Sequence, residues 1–237
     1  MREDEAIVAR GRASEYTPAG DSNRSTSARP VKAVIFDLGG VIVRWSNDTT
    51  YGYIAEKYGM DPASVKAKLE EKLPAVDMGR LDEKAWMADA FRALGMEPPE
   101  GYERIWGETF EGSKYNDDTV DIIKKLRRNG YRLAILSNIE PSRGAWERKR
   151  GTTDHFDVVV FSYETGMRKV DSLKESGEGN IYRLVLGKLG LEPEECVYVD
   201  DNPNCIKGAE DVGMRAILFK NGKQLAEDLE AEGVRLD

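Results

Sequence analysis

Histidine is almost missing from this chain, and cysteine nearly so: His155 stands alone, and Cys196 and Cys205 are the two thiols. With one histidine, placed just before Phe156 at a strand start, no Ser/His/Asp or Cys/His nucleophile scheme can be assembled. The two cysteines follow no metal-ligand spacing and read as reduced thiols of a cytosolic protein. No apolar run approaches the roughly 20 residues that span a bilayer. Positive charge is also in deficit: 35 basic residues against 43 acidic ones give a net charge of −8. That balance sets nucleic acid and anionic membranes aside as main partners.

Residues 1–30 lack core material, with Ile7 and Val8 as the sole apolar pair and five arginines balancing five acids. A segment of this kind cannot bury enough surface to offset its ordering entropy, so a disordered tail is expected. It has no apolar core of a signal peptide, and Glu3, Asp4 and Glu5 disfavour a transit peptide. The expected location is cytoplasmic.

From Val31 onward the pattern is regular. Continuous β-branched runs at Val31–Phe36, Tyr131–Leu136, Val158–Phe161, Cys196–Val199 and Met214–Phe219 have the character of strands buried on both faces. Helical segments lie between them. Asp117, Asp118 and Thr119 open one that Asn129-Gly130 closes, and Ile181 to Leu189 forms another closed by Gly190. Strands alternating with helices predict an α/β fold: a parallel, Rossmann-like sheet of about five strands with helices on both faces. Between Trp45 and about Tyr115 no convincing strand occurs. Asp61-Pro62 and Asp82 start amphipathic helices there, and the stretch from Asp48 to Lys114 holds 14 acids against 9 bases. The expected organisation is an α/β core over 31–45 and 116–237, with a helical cap over 46–115.

Polar residues recur where apolar runs end. Asp37 follows the first run in Phe36-Asp37-Leu38-Gly39-Gly40-Val41, and Ser137-Asn138 follow the second. Lys169 comes in Gly166-Met167-Arg168-Lys169, and Asp200-Asp201-Asn202 end another run. In a parallel sheet such groups converge on one crevice at the carboxyl ends of the strands. Three carboxylates brought together repel by about 4 kcal/mol per pair at 4 Å and an effective dielectric near 20. A divalent cation relieves this, and oxygen-only ligation suits Mg²⁺, which keeps waters and binds phosphate. Lysine supplies a point charge to a phosphoryl group, and a hydroxyl with backbone N–H groups at Ser137-Asn138 holds its equatorial oxygens.

These four motifs resemble those of the haloacid dehalogenase superfamily, in its phosphatase branch with a small helical cap after the first motif; the likeness extends from Val31 to about Leu229. The resemblance implies a Mg²⁺-dependent phosphatase acting on a small phosphorylated metabolite. Asp37 would be the nucleophile that becomes an aspartyl phosphate. Ser137, Asn138 and Lys169 would hold the phosphoryl group, and Asp37, Asp200, Asp201 and the Gly39 carbonyl would face the metal. Arg80, between cap helices, is a candidate substrate contact. The family's phosphatases usually place a second aspartate two residues after the nucleophile, as general acid and base, and here that residue is Gly39. This Asp-Leu-Gly-Gly type resembles a branch that includes a sugar-1-phosphate phosphatase, whose better leaving groups need less protonation. A polar insertion over 170–180, which includes Lys174, lies beside the lysine motif. Arg143, Arg148, Lys149 and Arg150 read as a solvated helix face. Asp200-Asp201 argues against a metal-free dehalogenase. The reversed order of acceptor and carboxylate doublet argues against a receiver domain. The remaining rival is a catalytically silent relative that binds a phosphorylated ligand or protein.

Overall fold

In a computed structural model of the chain, residues 29–171 and 180–237 are described. All but the last two residues of the expected tail, and most of the 170–180 insertion with Lys174, lie outside the described residues. The strands are β1 (Ala33–Phe36), β2 (Val43–Arg44), β3 (Lys114–Tyr115), β4 (Arg132–Ser137), β5 (Val158–Phe161), β6 (Cys196–Asp200) and β7 (Arg215–Leu218). Five of them form one parallel sheet in the order β5-β4-β1-β6-β7. β1 is central: Ala33 pairs with both Arg132 and Cys196, and Phe36 with both Ile135 and Val199. The predicted α/β fold with about five parallel strands is the observed one.

The helices are α1 (Asn47–Tyr58), α2 (Pro62–Asp77), α3 (Glu83–Ala93), α4 (Tyr102–Glu111), α5 (Asp117–Arg128), α6 (Pro141–Lys149), α7 (Ser162–Thr165), α8 (Ile181–Leu189), α9 (Pro203–Asp211) and α10 (Gly222–Ala231). Side chains alternate across each strand. Val34 and Phe36 therefore join Ile123 and Leu126 of α5 and Leu225 and Leu229 of α10 in one apolar cluster. Ala33 and Ile35 face the other way, onto Val185 of α8 and Ile206 of α9. Both faces of β1 are covered, which is why its sequence is apolar without interruption.

Helices α1 to α4 run between β2 and β3 and share a third, separate apolar cluster that includes Val65, Leu69, Trp86, Phe91 and Trp106. Trp86 donates its indole N–H to Leu69 O at 3.0 Å and meets Trp106 edge-on at 4.9 Å. The signals that open these helices are satisfied. The Asp61 carboxylate accepts from Ser64 N at 2.8 Å ahead of Pro62, and Asp82 accepts from Ala85 N at 3.0 Å. One element departs from the sequence expectation. Lys114–Tyr115 forms a two-residue antiparallel ribbon with Val43–Arg44 at the root of the helical unit. Two residues are too few to show a period of two, so the pattern hid it. No helix among the described residues is long and apolar enough to cross a membrane.

Candidate active site

The carboxyl end of β1 turns sharply. Asp37 N donates to Val199 O at 2.8 Å, holding the strand tip against β6, while Ile42 N and Val43 N both donate to Leu38 O, at 3.0 and 2.9 Å. Asn116 clamps the turn from outside, its Nδ2 donating to Gly40 O and Val41 O at 2.8 Å each. Gly40 has a φ of +78°, which favours glycine, and a Cβ there would push the Asp201 carboxylate aside. Gly39 is under no such demand, since the nearest atom to a Cβ at that residue would be Trp45 O at 3.6 Å.

The fold brings Asp37, Ser137, Asn138, Lys169, Asp200 and Asp201 around one cavity of about 380 Å³. Lys169, 3% exposed, donates from Nζ to Asp37 Oδ1 and to Asp200 Oδ2, both at 2.7 Å. Its backbone N–H donates to Asn138 Oδ1 at 3.0 Å, so that side chain holds the lysine loop in register. Asp200 is fixed further by the Tyr198 hydroxyl and by Asn202 N, the latter at 2.8 Å. Ser137 is buried and its Oγ makes one long contact, 3.4 Å to Asn138 O. Ser162 Oγ accepts from Ile139 N at 2.9 Å and steadies the loop that follows.

Charge is finely balanced here. Burial, with Asp200 and Asp201 adding to it, outweighs Lys169 and lifts the Asp37 carboxyl to about 6. Burial and the Asp200 charge also raise Asp201. Burial opposes charge on Lys169, yet Asp200 and Asp37 prevail and hold its amine well above the usual range. Cys205 borders the cavity, but burial pushes its thiol up to about 12, which leaves it inert. Asp37, Asp200 and Asp201 each offer a carboxylate oxygen, with all three oxygens within 4.8 Å of one another. An oxygen-only trio of this kind fits a hard divalent cation that keeps open positions for water and substrate.

The opposite wall comes from the helical unit and from α6. Asp48, Lys66, Glu70 and Asp77 contribute from α1 and α2, Glu140 and Arg143 from the start of α6. Arg143 corrects the sequence expectation of a solvated helix face. It is 2% exposed, its guanidinium lies 3.6 Å above the Trp45 ring, and burial pulls its pKa down to about 10. Arg150 is likewise tied inward, at 2.7 Å from the buried Glu147. Periodicity places these residues on a helix but cannot tell that a second helical unit covers it. Arg80 is not brought to the cavity: it is exposed, and a terminal nitrogen donates to Gly166 O at 3.1 Å. Glu140 and Asp77 went unnoticed in the sequence. Glu140 carried a usable signal, three residues past Ser137 at a strand end; Asp77 carried none.

A parallel sheet whose carboxyl ends gather three aspartates and a lysine, with helices on both faces, defines a Rossmann-like α/β enzyme. The haloacid dehalogenase-like hydrolase family matches residues 31–213, and the chain belongs to that family. It is 27% identical over 212 residues to flavin mononucleotide hydrolase 1 of Arabidopsis thaliana, across 88% of this chain and 80% of that protein. It is 26% identical over 211 residues to a phosphorylated carbohydrates phosphatase of Thermotoga maritima, across 83% and 91%. A bifunctional epoxide hydrolase 2 of Sus scrofa is 26% identical over 226 residues, where the match takes 87% of this chain and 40% of the longer protein. In fold it resembles a HAD family enzyme of Bacteroides thetaiotaomicron crystallised as a magnesium complex (TM-score 0.68, 20% identity, 85% of this chain and 99% of the other).

Proposed function

We propose that this hydrolase is a Mg²⁺-dependent phosphatase of small phosphorylated metabolites, working through an aspartyl phosphate on Asp37. The observation that carries the proposal is the meeting of three carboxylate oxygens within 4.8 Å with a lysine amine 2.7 Å from two of those carboxylates. Asp37, Asp200, Asp201 and the Gly39 carbonyl would hold the metal. When bound, Mg²⁺ offsets the charge of the carboxylates and of the substrate phosphate and orients that phosphate. The chain's own groups do the remainder. Asp37 Oδ attacks phosphorus in line with the leaving oxygen. Lys169 and the Ser137 hydroxyl, with the backbone at Asn138, stabilise the equatorial oxygens where charge gathers. Water then cleaves the Asp37 acyl phosphate and frees the carboxylate for the next turnover.

Residues 46–115 act in this reading as a cap over the core of 31–45 and 116–237, since Asp48, Lys66, Glu70, Leu73 and Asp77 close one side of the cavity. Similarity to a phosphatase of phosphorylated carbohydrates supports a sugar phosphate as the substrate class. Gly39 favours one alternative, a silent relative that binds a phosphorylated ligand or protein without turning it over. Mg²⁺-dependent phosphate release, measured over aryl, alkyl and acyl phosphates, separates the two. Wild type is expected to release phosphate and Asp37→Asn to release none above background. Equal rates from the two proteins refute the aspartyl phosphate, and silence of the wild type on every substrate supports the binding role.

A further inference from the structure

Gly39 has no side chain to move a proton, and the surrounding space does not force this, because a Cβ there would meet only ordinary contact. The cavity offers other carboxyls. Outside the aspartate trio, Asp48 is bound to Lys66 at 2.9 Å, Glu70 lies 3.8 Å from the same amine, and Asp77 is 3.1 Å from Arg168 Nε. Glu140 alone of this group has no lysine or arginine nitrogen of the described residues within 4 Å. It is 3% exposed, borders the cavity, and stands three residues beyond Ser137, immediately before α6.

Resting on the phosphatase reading, we propose that Glu140 is the general acid and base of this enzyme, taking the part that an aspartate at residue 39 would have played. In the first half-reaction the bond between Asp37 Oδ and phosphorus forms as the bond from phosphorus to the leaving oxygen breaks, and the Glu140 carboxyl gives its proton to that oxygen. In the second, the Glu140 carboxylate takes a proton from water as the water oxygen bonds to phosphorus. The bond from Asp37 to phosphorus breaks, and phosphate leaves with Glu140 protonated again. Atoms and charge balance without any further reactant.

The surroundings suit the task. Trp45, whose carbonyl is the atom nearest to the unfilled side of Gly39, carries the Arg143 guanidinium on its ring, and Arg143 lies in the first turn of α6, three residues after Glu140. One wall thus joins the turn after Asp37 to Glu140. The charged and titratable groups acting on Glu140 are Asp77 from α2, Glu83 from α3, Tyr51 from α1 and Arg143 from α6. Burial first, and then the Asp77 charge, outweigh Arg143 and lift the Glu140 carboxyl to about 7, where a group that must both give and take a proton works best.

The test compares Glu140→Gln with wild type on alkyl phosphates and on p-nitrophenyl phosphate, as a function of pH, with Mg²⁺ present. The alkyl phosphates are expected to lose about 10²–10⁴-fold in kcat, and the aryl ester, whose leaving group needs no proton, less than about tenfold. The inflection of the wild-type profile near pH 7 should vanish, while binding of inorganic phosphate and the melting temperature stay close to wild type. Should the glutamine variant not fold, Glu140→Asp serves instead, with the same selective loss on alkyl esters expected because its acid is withdrawn by one methylene. Equal losses on both ester classes, or rates matching wild type, overturn the proposal. A wild type active through Asp37 yet indifferent to Glu140→Gln sinks this inference alone; a wild type silent on all esters sinks the phosphatase reading with it.

Discussion

Lys169→Met tests whether one buried amine holds the strand ends together. Its Nζ lies 2.7 Å from the carboxylate of Asp37, just past the end of β1, and from that of Asp200 at the end of β6, and both aspartates are buried. At that separation and an effective dielectric near 20, each contact contributes roughly 6 kcal/mol of gross attraction, most of which repays the desolvation of the ions. The net cost of removing the cation is therefore smaller, about 3–5 kcal/mol, and it arises from the two buried carboxylates left without a counter-charge. Urea denaturation with EDTA present, so that no metal replaces the amine, measures the loss at fixed pH. The informative comparison is a double-mutant cycle. Asp200→Asn removes one of the stranded charges, so Lys169→Met should cost about 2 kcal/mol less in that background than in wild type. Full additivity of the two changes would refute the reasoning, because it would mean that Lys169 and Asp200 contribute independently.

Two further outcomes follow from the geometry. Gly40→Ala should weaken Mg²⁺ binding at least about tenfold by calorimetry, since the new methyl displaces Asp201 and the +78° φ adds about 1–2 kcal/mol of backbone strain; Gly39→Ala should leave Mg²⁺ affinity near wild type. Glu83 governs a pH effect at the seam between α3 and α6. Its carboxylate accepts from Ser142 N at 3.1 Å and Ser142 Oγ at 2.9 Å, yet burial lifts its pKa from 4.5 to about 7. The folded state then binds more protons than the unfolded one between about pH 4.5 and 7, so its stability falls as pH rises through that window. Glu83→Gln should flatten the decline by about 2 kcal/mol in denaturation curves, and an unchanged slope would exclude Glu83 as its source.

The sequence by itself determined the central layer. Uninterrupted apolar runs state that β1, β4 and β6 are covered on both faces, and a polar residue that breaks such a run must lie at a strand end, which put Asp37, Ser137 and Asp200 at one edge of the sheet. The caps at Asp61, Asp82 and Gly190 were equally local, because a cap is a bond between near neighbours in the chain. Only the tertiary structure decided what faces the site from above. Whether Arg143 meets water or the ring of Trp45 depends on α1 to α4 folding back over α6, and nothing in the periodicity of α6 records that. Glu140 and Asp77 come together from residues 63 positions apart in sequence, each unremarkable on its own element, and their effect on one another exists only once both leave water. Strand ends are fixed by burial that each segment carries in its own composition. The chemistry of the wall is fixed by long-range contact, which no single segment encodes.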